Sequence, residues 1–368
     1  ETGFYTFRVS SDCPVEFWLD DMGAQAIRNV ESGTPQINTA LLYMEKGKRH
    51  HLRLWYTQNP QGVKNSQEMN HWNKDAASIK VEWAMPTSPE IIAGQLRPYA
   101  DKLRNADCVV FVGGTDHNFD CEGRDRATMD FPAGQAELMR QIAAMNGKLI
   151  TVLYHGSPFT TDWMKSPRAV VDAFFPGMEG GNAVADVIFG NYNPSGRLSF
   201  SWPKTLKESS QYAEATQDFN NVNYEDKIFV GYRWNDKTGV KPAFPFGFGL
   251  SYTSFEYSGL KAERQKDGTV KVTLKVKNTG NVAGKETVQL YVGQHNCRYE
   301  RPKKELKDFK QVEIAAGKTA KVEFTLDHKA FEYWNPDLRQ WIVDKDDFTI
   351  YLCKDASTVC LKKDIRLE

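Results

Sequence analysis

The apolar residues of this chain change their period twice, and that change limits the fold more than any other feature. At the start they occupy every second position. Tyr5, Phe7 and Val9 alternate with Thr6, Arg8 and Ser10, and Val15, Phe17 and Leu19 repeat the pattern before a turn at residues 20–23. Period two marks a strand with one buried and one solvated face. Leu52, Leu54 and Tyr56 read as a further strand, and Ile79, Val81 and Trp83 close the series. Strands set apart by polar turns, without helical periodicity, predict an antiparallel sandwich over residues 1–85. The chain enters this region directly on a strand, and an unpaired first strand would leave an exposed sheet edge.

After MPTSPE the pattern changes. Ser88 followed by Pro89 predicts a helix start, a capping hydroxyl and then proline at the first helical position. DCVVFVGG reads as a short apolar strand ending in glycines. A helix from about Ala133 carries Leu138 and Ile142 four apart and stops at Asn146 and Gly147. KLITVLYHG and AVVDAFFPG read as two more strands, and residues 180–189 as a helix. Apolar strands alternating with helices imply an α/β layer over residues 86–204, with a mostly parallel sheet covered on both faces. Residues 205–249 are polar or aromatic and irregular and read as a linker. Period two then returns: Val270, Val272, Leu274 and Val276 alternate with Lys271, Thr273, Lys275 and Lys277. VQLYVG, VEFTL and FTIYL follow, so residues 250–368 predict a second sandwich of immunoglobulin-like size. The fold class is therefore multidomain, a partial antiparallel β-sandwich, an α/β sandwich and a second β-sandwich.

Composition removes several function classes. The 47 basic and 47 acidic residues cancel, which argues against electrostatic attraction to nucleic acid or to an anionic membrane. No stretch approaches the roughly 20 apolar residues of a membrane helix, so the reading is a soluble protein. Six cysteines without a CxxC fit neither a dense disulfide scaffold nor a zinc module. Cys353 and Cys360 flank KDASTV and either pair across a hairpin or remain buried thiols. His50, His51, His71, His117 and His155 lack metal-ligand spacing and read as solvated or hydrogen-bonded side chains. FGFGLSY has no strand-to-helix context for a dinucleotide fingerprint, and neither a GxSxG elbow nor a P-loop occurs. No signal-peptide pattern opens the chain, and this decides nothing about compartment.

In open α/β sheets, ligands bind beyond the carboxyl ends of the strands. The loop leaving the first such strand, GGTDHNFDCEGRDRATMDFP, holds five acidic residues and two arginines. Loops of this length in compact domains are functional or disordered. On spacing alone, a solvated charged loop held by local ion pairs is the favoured reading.

The loop does not stand alone. CEGRDRATMDFPAGQAELM resembles the E-G-x-D-R loop and following helix of glycoside hydrolase family 3. HGSPFTTDW is similar to that family's G-(N/S)-P segment. FFPGMEGGNAVADVIFGNYNPSGRLSFSWPKT resembles its long glycine- and proline-bearing run. IFVGYRWNDKTGVKPAFPFGFGLSYTSFEY resembles the passage into its fibronectin type III-like domain, and ERPKKELKDFKQVEIAAGKTAKVEFTL that domain itself. The first 85 residues resemble the later strands of the protective-antigen-type sandwich inserted in many β-glucosidases of the family.

The resemblance implies a retaining, exo-acting β-glucosidase that uses neither metal nor organic cofactor, with Glu122 as general acid/base. A retaining glycosidase needs a nucleophilic carboxylate and a second carboxyl that protonates the leaving oxygen and later deprotonates water. Arg124, Asp125 and Arg126 are expected to hold the loop. Phe119 stands where the family commonly has tryptophan, with aglycone stacking and buried packing both open; Trp163 and Trp72 are weaker candidates. The family's nucleophile is an aspartate on an N-terminal (β/α)8 barrel, and neither its Ser-Asp-Trp segment nor room for a barrel of about 250 residues is present. The chain is thus expected to be a C-terminal portion whose partners are that barrel and a β-glucoside substrate, with extracellular or periplasmic placement suggested by similar enzymes. A β-xylosidase, or a non-catalytic carbohydrate-binding or scaffold protein, remains as an alternative.

Overall fold

The computed structural model describes residues 3–11, 15–20, 27–29, 36–56, 79–84, 87–115, 120, 126, 128–132, 134–210 and 223–367. They form two compact units, Glu1–Ser157 with Asp162–Pro176, and Pro158–Thr161 with Gly177–Glu368.

The first unit opens with β1 (Gly3–Ser11), β2 (Val15–Leu19), β3 (Ile27–Asn29), β4 (Gln36–Met44), β5 (Leu52–Tyr56) and β6 (Ile79–Ala84). They pair antiparallel in two three-stranded sheets, ordered β4-β1-β6 and β3-β2-β5. The alternating residues face inward as their period requires. Tyr5, Phe7 and Val9 of one sheet share a core with Val15 and Phe17 of the other, and the rings of Phe7 and Phe17 lie 5.1 Å apart. The first strand is not an edge, because β4 and β6 pair with β1 on either side.

The α/β layer begins with α1 (Pro89–Leu96), where Ser88 Oγ accepts the amide of Ile91 at 3.3 Å. After α2 (Ala100–Asn105) come β7 (Val109–Gly114), α3 (Gln135–Met145), β8 (Leu149–Tyr154) and β9 (Ala169–Asp172). The three strands are parallel in the order β7-β8-β9. Asn146 ends α3, and its side-chain amide donates to the carbonyls of Leu103 and Ala106, each at 2.9 Å. Buried Met139 of α3 covers one sheet face, its sulfur 3.3 Å from the Thr151 hydroxyl. Among the described residues the expected cover on both faces does not extend to β7, where Val110 and Val112 are 42% and 61% exposed. A purely apolar strand reads as doubly buried, but burial also needs a neighbour to lie on it.

The second unit carries α4 (Gly180–Ile188) and α5 (Tyr232–Thr238), so the stretch read as irregular over 205–249 includes a helix. Its sandwich consists of β10 (Phe255–Arg264), β11 (Val270–Asn278), β12 (Gly284–Gln294), β13 (Glu305–Ile314), β14 (Thr319–Leu326), β15 (Tyr333–Asn335), β16 (Gln340–Ile342), β17 (Asp347–Cys353) and β18 (Val359–Arg366). Sheets β10-β11-β14 and β13-β12-β17-β18 face each other, and β15 with β16 forms a separate hairpin. Val270, Val272, Leu274 and Val276 pack against Val288, Leu290, Ile350 and Leu352 in one core.

The glycine- and proline-bearing run is stitched to this sandwich by side chains that replace missing backbone partners. Asn193 donates to the Ala283 carbonyl at 2.9 Å and accepts from Ser251 Oγ and Tyr252 N at 2.9 and 2.8 Å. Arg197 Nη2 reaches Glu286 Oε2 on β12 at 2.8 Å.

Cys353 and Cys360 are free thiols, as are Cys108 and Cys297. Burial pushes the Cys353 thiol up to about 12, and only the thiolate is a nucleophile. Alkylation of the native protein at mildly alkaline pH should therefore mark exposed Cys108 and spare Cys353 until the chain is unfolded. Peptide mapping checks this, and native labelling of Cys353 at the rate of Cys108 would contradict the burial.

Candidate functional site

The three strands are parallel, so β7, β8 and β9 end on the same side of the sheet, the side on which open α/β sheets bind ligands. The exit from β7 is held tightly. Gln135, the first residue of α3, accepts the Gly114 amide at 2.9 Å and donates its own amide to the Gly114 carbonyl at 2.8 Å. This side chain does for the strand end what another strand would do. Gly114 has φ +135°, and a Cβ there would lie 1.8 Å from the Tyr154 carbonyl oxygen, so no other residue fits. The next amide, of Thr115, donates to that same carbonyl at 2.8 Å.

Asp120 bridges two of the exits. Its Oδ2 accepts the amide of Gly156, just beyond β8, at 2.9 Å and also the hydroxyl of Thr115, just beyond β7. Its other oxygen lies 4.0 Å from Arg126 Nε, with both side chains nearly buried. Burial pulls the Arg126 guanidinium below its ordinary range, and the Asp120 carboxylate opposes that pull. A carboxylate that accepts donors from two strand exits and faces a guanidinium is fixed in place by them.

A second bridge joins the exits of β8 and β9. His155 is fully buried, and its Nδ1–H donates to the Ser157 carbonyl at 3.0 Å. Its Nε2 lies 2.9 Å from Asp172 Oδ1, which also accepts the Phe174 amide at 3.3 Å. Phe174 takes φ +49°, a left-handed conformation that a bulky side chain adopts only when its surroundings impose it. The far end of the β7 loop is apolar. Met129 and Phe131 are buried, and Phe131 packs on Trp163 with ring centroids 5.0 Å apart.

Arg126 therefore stands against Asp120 at these strand exits. Trp163 is a core residue with a ring neighbour rather than a free stacking platform. Glu122, Phe119, Arg124, Asp125 and Trp72 lie outside the described residues. Nothing in the sequence marks Asp120, Thr115, Gln135 or the His155–Asp172 pair. Asp120 is one acidic residue among five in the loop, and its partners Gly156 and Arg126 are 36 and 6 positions away. A cluster assembled across strand exits has no local spacing to betray it.

Comparison with known proteins gives these residues a setting. Residues 22–252 match the glycosyl hydrolase family 3 C-terminal domain, and residues 286–356 a fibronectin type III-like domain. A β-glucosidase of Bacteroides ovatus is 38% identical over 281 residues, 74% of this chain and 38% of that enzyme. A β-glucosidase of Kluyveromyces marxianus is 32% identical over 339 residues, 92% of this chain and 39% of the enzyme. The crystal structure of the latter in complex with glucose matches all of this chain and 43% of its own, at a TM-score of 0.74 and 31% identity. A Streptomyces venezuelae β-glucosidase in complex with D-glucose matches at a TM-score of 0.82 and 26% identity. An exo-α-(1→6)-L-arabinopyranosidase of Bifidobacterium longum is 37% identical over 251 residues, 68% of this chain and 33% of that enzyme. The chain thus spans about two fifths of the length of the curated relatives it matches.

Proposed function

Because the chain belongs to glycosyl hydrolase family 3, we propose that it is the C-terminal portion of a retaining, exo-acting β-glucosidase. The observation that carries this reading is the match of all of its residues to a glucose-bound β-glucosidase at 31% identity. In this reading Glu122 is the general acid/base, and a barrel-borne aspartate from the N-terminal portion is the nucleophile. The aspartate attacks the anomeric carbon while Glu122 protonates the departing glycosidic oxygen. The glycosidic C–O bond breaks, an aglycone alcohol leaves, and a glycosyl ester forms. Glu122, now a carboxylate, takes a proton from water, whose oxygen displaces the aspartate and releases glucose with its original configuration. We read the first sandwich as a protective-antigen-type insert and place the enzyme outside the cytoplasm.

A second reading keeps the mechanism and changes the sugar. The 37% identity to an arabinopyranosidase is close to the 38% of the β-glucosidase match. Sugar choice therefore does not follow from these domains, and a pentopyranoside, xyloside included, is the alternative substrate.

Proton NMR of the complete gene product acting on an aryl β-D-glucoside tests both points. β-Glucose should appear first, with α-glucose growing in only by mutarotation. Initial release of the α-anomer would overturn retention. Turnover of the aryl xyloside or arabinopyranoside without turnover of the glucoside would select the second reading.

A further inference from the structure

We propose that Asp120 is the positioning residue of the acid/base, an inference that rests on Glu122 acting as proton donor. Two residues of chain reach about 7 Å at most, so whatever fixes Asp120 limits where residue 122 can stand. Asp120 is fixed from both flanking strands. Its Oδ2 accepts the Gly156 amide at 2.9 Å and the Thr115 hydroxyl, and Thr115 is itself tied to the Tyr154 carbonyl at 2.8 Å. Arg126, four residues beyond Glu122, lies 4.0 Å from the other Asp120 oxygen. One nearly buried carboxylate therefore holds Thr115, Gly156 and Arg126 together at the exits of β7 and β8, and residues 120 and 126 bracket Glu122 in the sequence.

Gly156 contributes through its backbone amide. A Cβ there would lie 3.1 Å from the Phe175 ring and 3.4 Å from Asp120 Cγ. The Phe175 ring, which is exposed, would have to give slightly, while the contact with the carboxyl carbon is an ordinary one. Asp120 and Glu122, two positions apart in the sequence, thus divide the work between an anchor engaged by its neighbours and a proton donor.

The division makes a test that a purely structural role would not satisfy. Protonation matters most when the leaving group is a poor one, such as an alkoxide, and least for 2,4-dinitrophenolate. In the complete gene product, Asp120→Ala should lower kcat/KM for an alkyl β-glucoside roughly 10- to 100-fold, the scale of a misplacement near one ångström. The loss for the dinitrophenyl glucoside should be only a few-fold. Asp120→Asn keeps a carbonyl oxygen for the Gly156 and Thr115 donors and gives up the charge facing Arg126. It should fall between parent and Asp120→Ala, and it keeps the test open if the alanine variant does not fold by circular dichroism.

Glu122→Gln, measured beside them, should show the same leaving-group dependence more steeply. Equal losses for all leaving groups in both Asp120 variants, with a steep dependence in Glu122→Gln, would overturn the positioning role and leave the acid/base assignment standing. A flat response in Glu122→Gln would overturn the assignment on which it rests.

Discussion

Glu122→Gln should lower kcat/KM of the complete gene product for an alkyl β-glucoside about 10²–10⁴-fold, the usual contribution of general acid catalysis. The amide matches the carboxyl in size but cannot deliver a proton to the glycosidic oxygen. An aglycone whose oxygen is basic must then leave as its anion. A dinitrophenyl aglycone leaves without help, so the first step with that substrate should survive. The second step should not, because water then lacks its base. The predicted record is a burst of one equivalent of dinitrophenolate followed by slow turnover. Azide needs no deprotonation to attack, so adding it should restore turnover and yield the β-glucosyl azide, the anomer that two inversions require. An unchanged steady rate with the dinitrophenyl substrate, or an α-azide product, would remove Glu122 from the mechanism.

The same substitution makes a pH statement. A residue that acts first as acid must be protonated in the free enzyme, so parent kcat/KM should fall as pH rises through its ionisation. The alkaline limb should be absent from Glu122→Gln, because no titrating donor remains. Survival of that limb would assign it, and the proton, to another group.

How far the sequence is legible depends on the range over which each feature acts. Strand faces follow from neighbours two positions apart, so the period alone places Tyr5, Phe7 and Val9, or Val270 to Val276, on an inward face, and they are buried there. The cap of α1 needs only Ser88 and Pro89 in succession. Features that depend on distant partners are not legible in this way. β1 is central because residues 36–44 and 79–84 return to it, a fact absent from its own nine residues. Val110 and Val112 look like core and are exposed, because apolar character states a preference for burial and not the presence of a cover. At the candidate site, the E-G-x-D-R pattern draws attention to Glu122 through family resemblance. The set of contacts two positions earlier in the sequence, Asp120 with Gly156 and Thr115, joins separate strand exits and carries no periodic mark.

Arg197→Met should destabilise the second unit by about 3–5 kcal/mol, the cost of leaving one partner of a buried ion pair alone. Arg197 belongs to the glycine- and proline-bearing run, and its partner Glu286 lies 89 positions on, in β12. The Glu286 side chain is 3% exposed and that of Arg197 12%, with 2.8 Å between them. The other Glu286 oxygen accepts the Tyr257 hydroxyl at 2.8 Å. Burial first, and then the Glu286 charge, hold the Tyr257 phenol protonated far above its ordinary range. Tyr257 thus remains a neutral donor under any working condition and cannot balance the charge that Arg197 leaves behind. Methionine fills much of the lost volume, so the expected loss is electrostatic and not a cavity. Arg197→Met combined with Glu286→Gln removes that charge while keeping an acceptor for Tyr257. The double variant should be more stable than the sum of the single changes predicts, with a coupling of roughly 1–3 kcal/mol. Urea unfolding followed by circular dichroism measures each term, provided the transition of the second unit is resolved from that of the first. A single variant within error of the parent, or additive effects in the pair, would reduce the Arg197–Glu286 contact to surface chemistry.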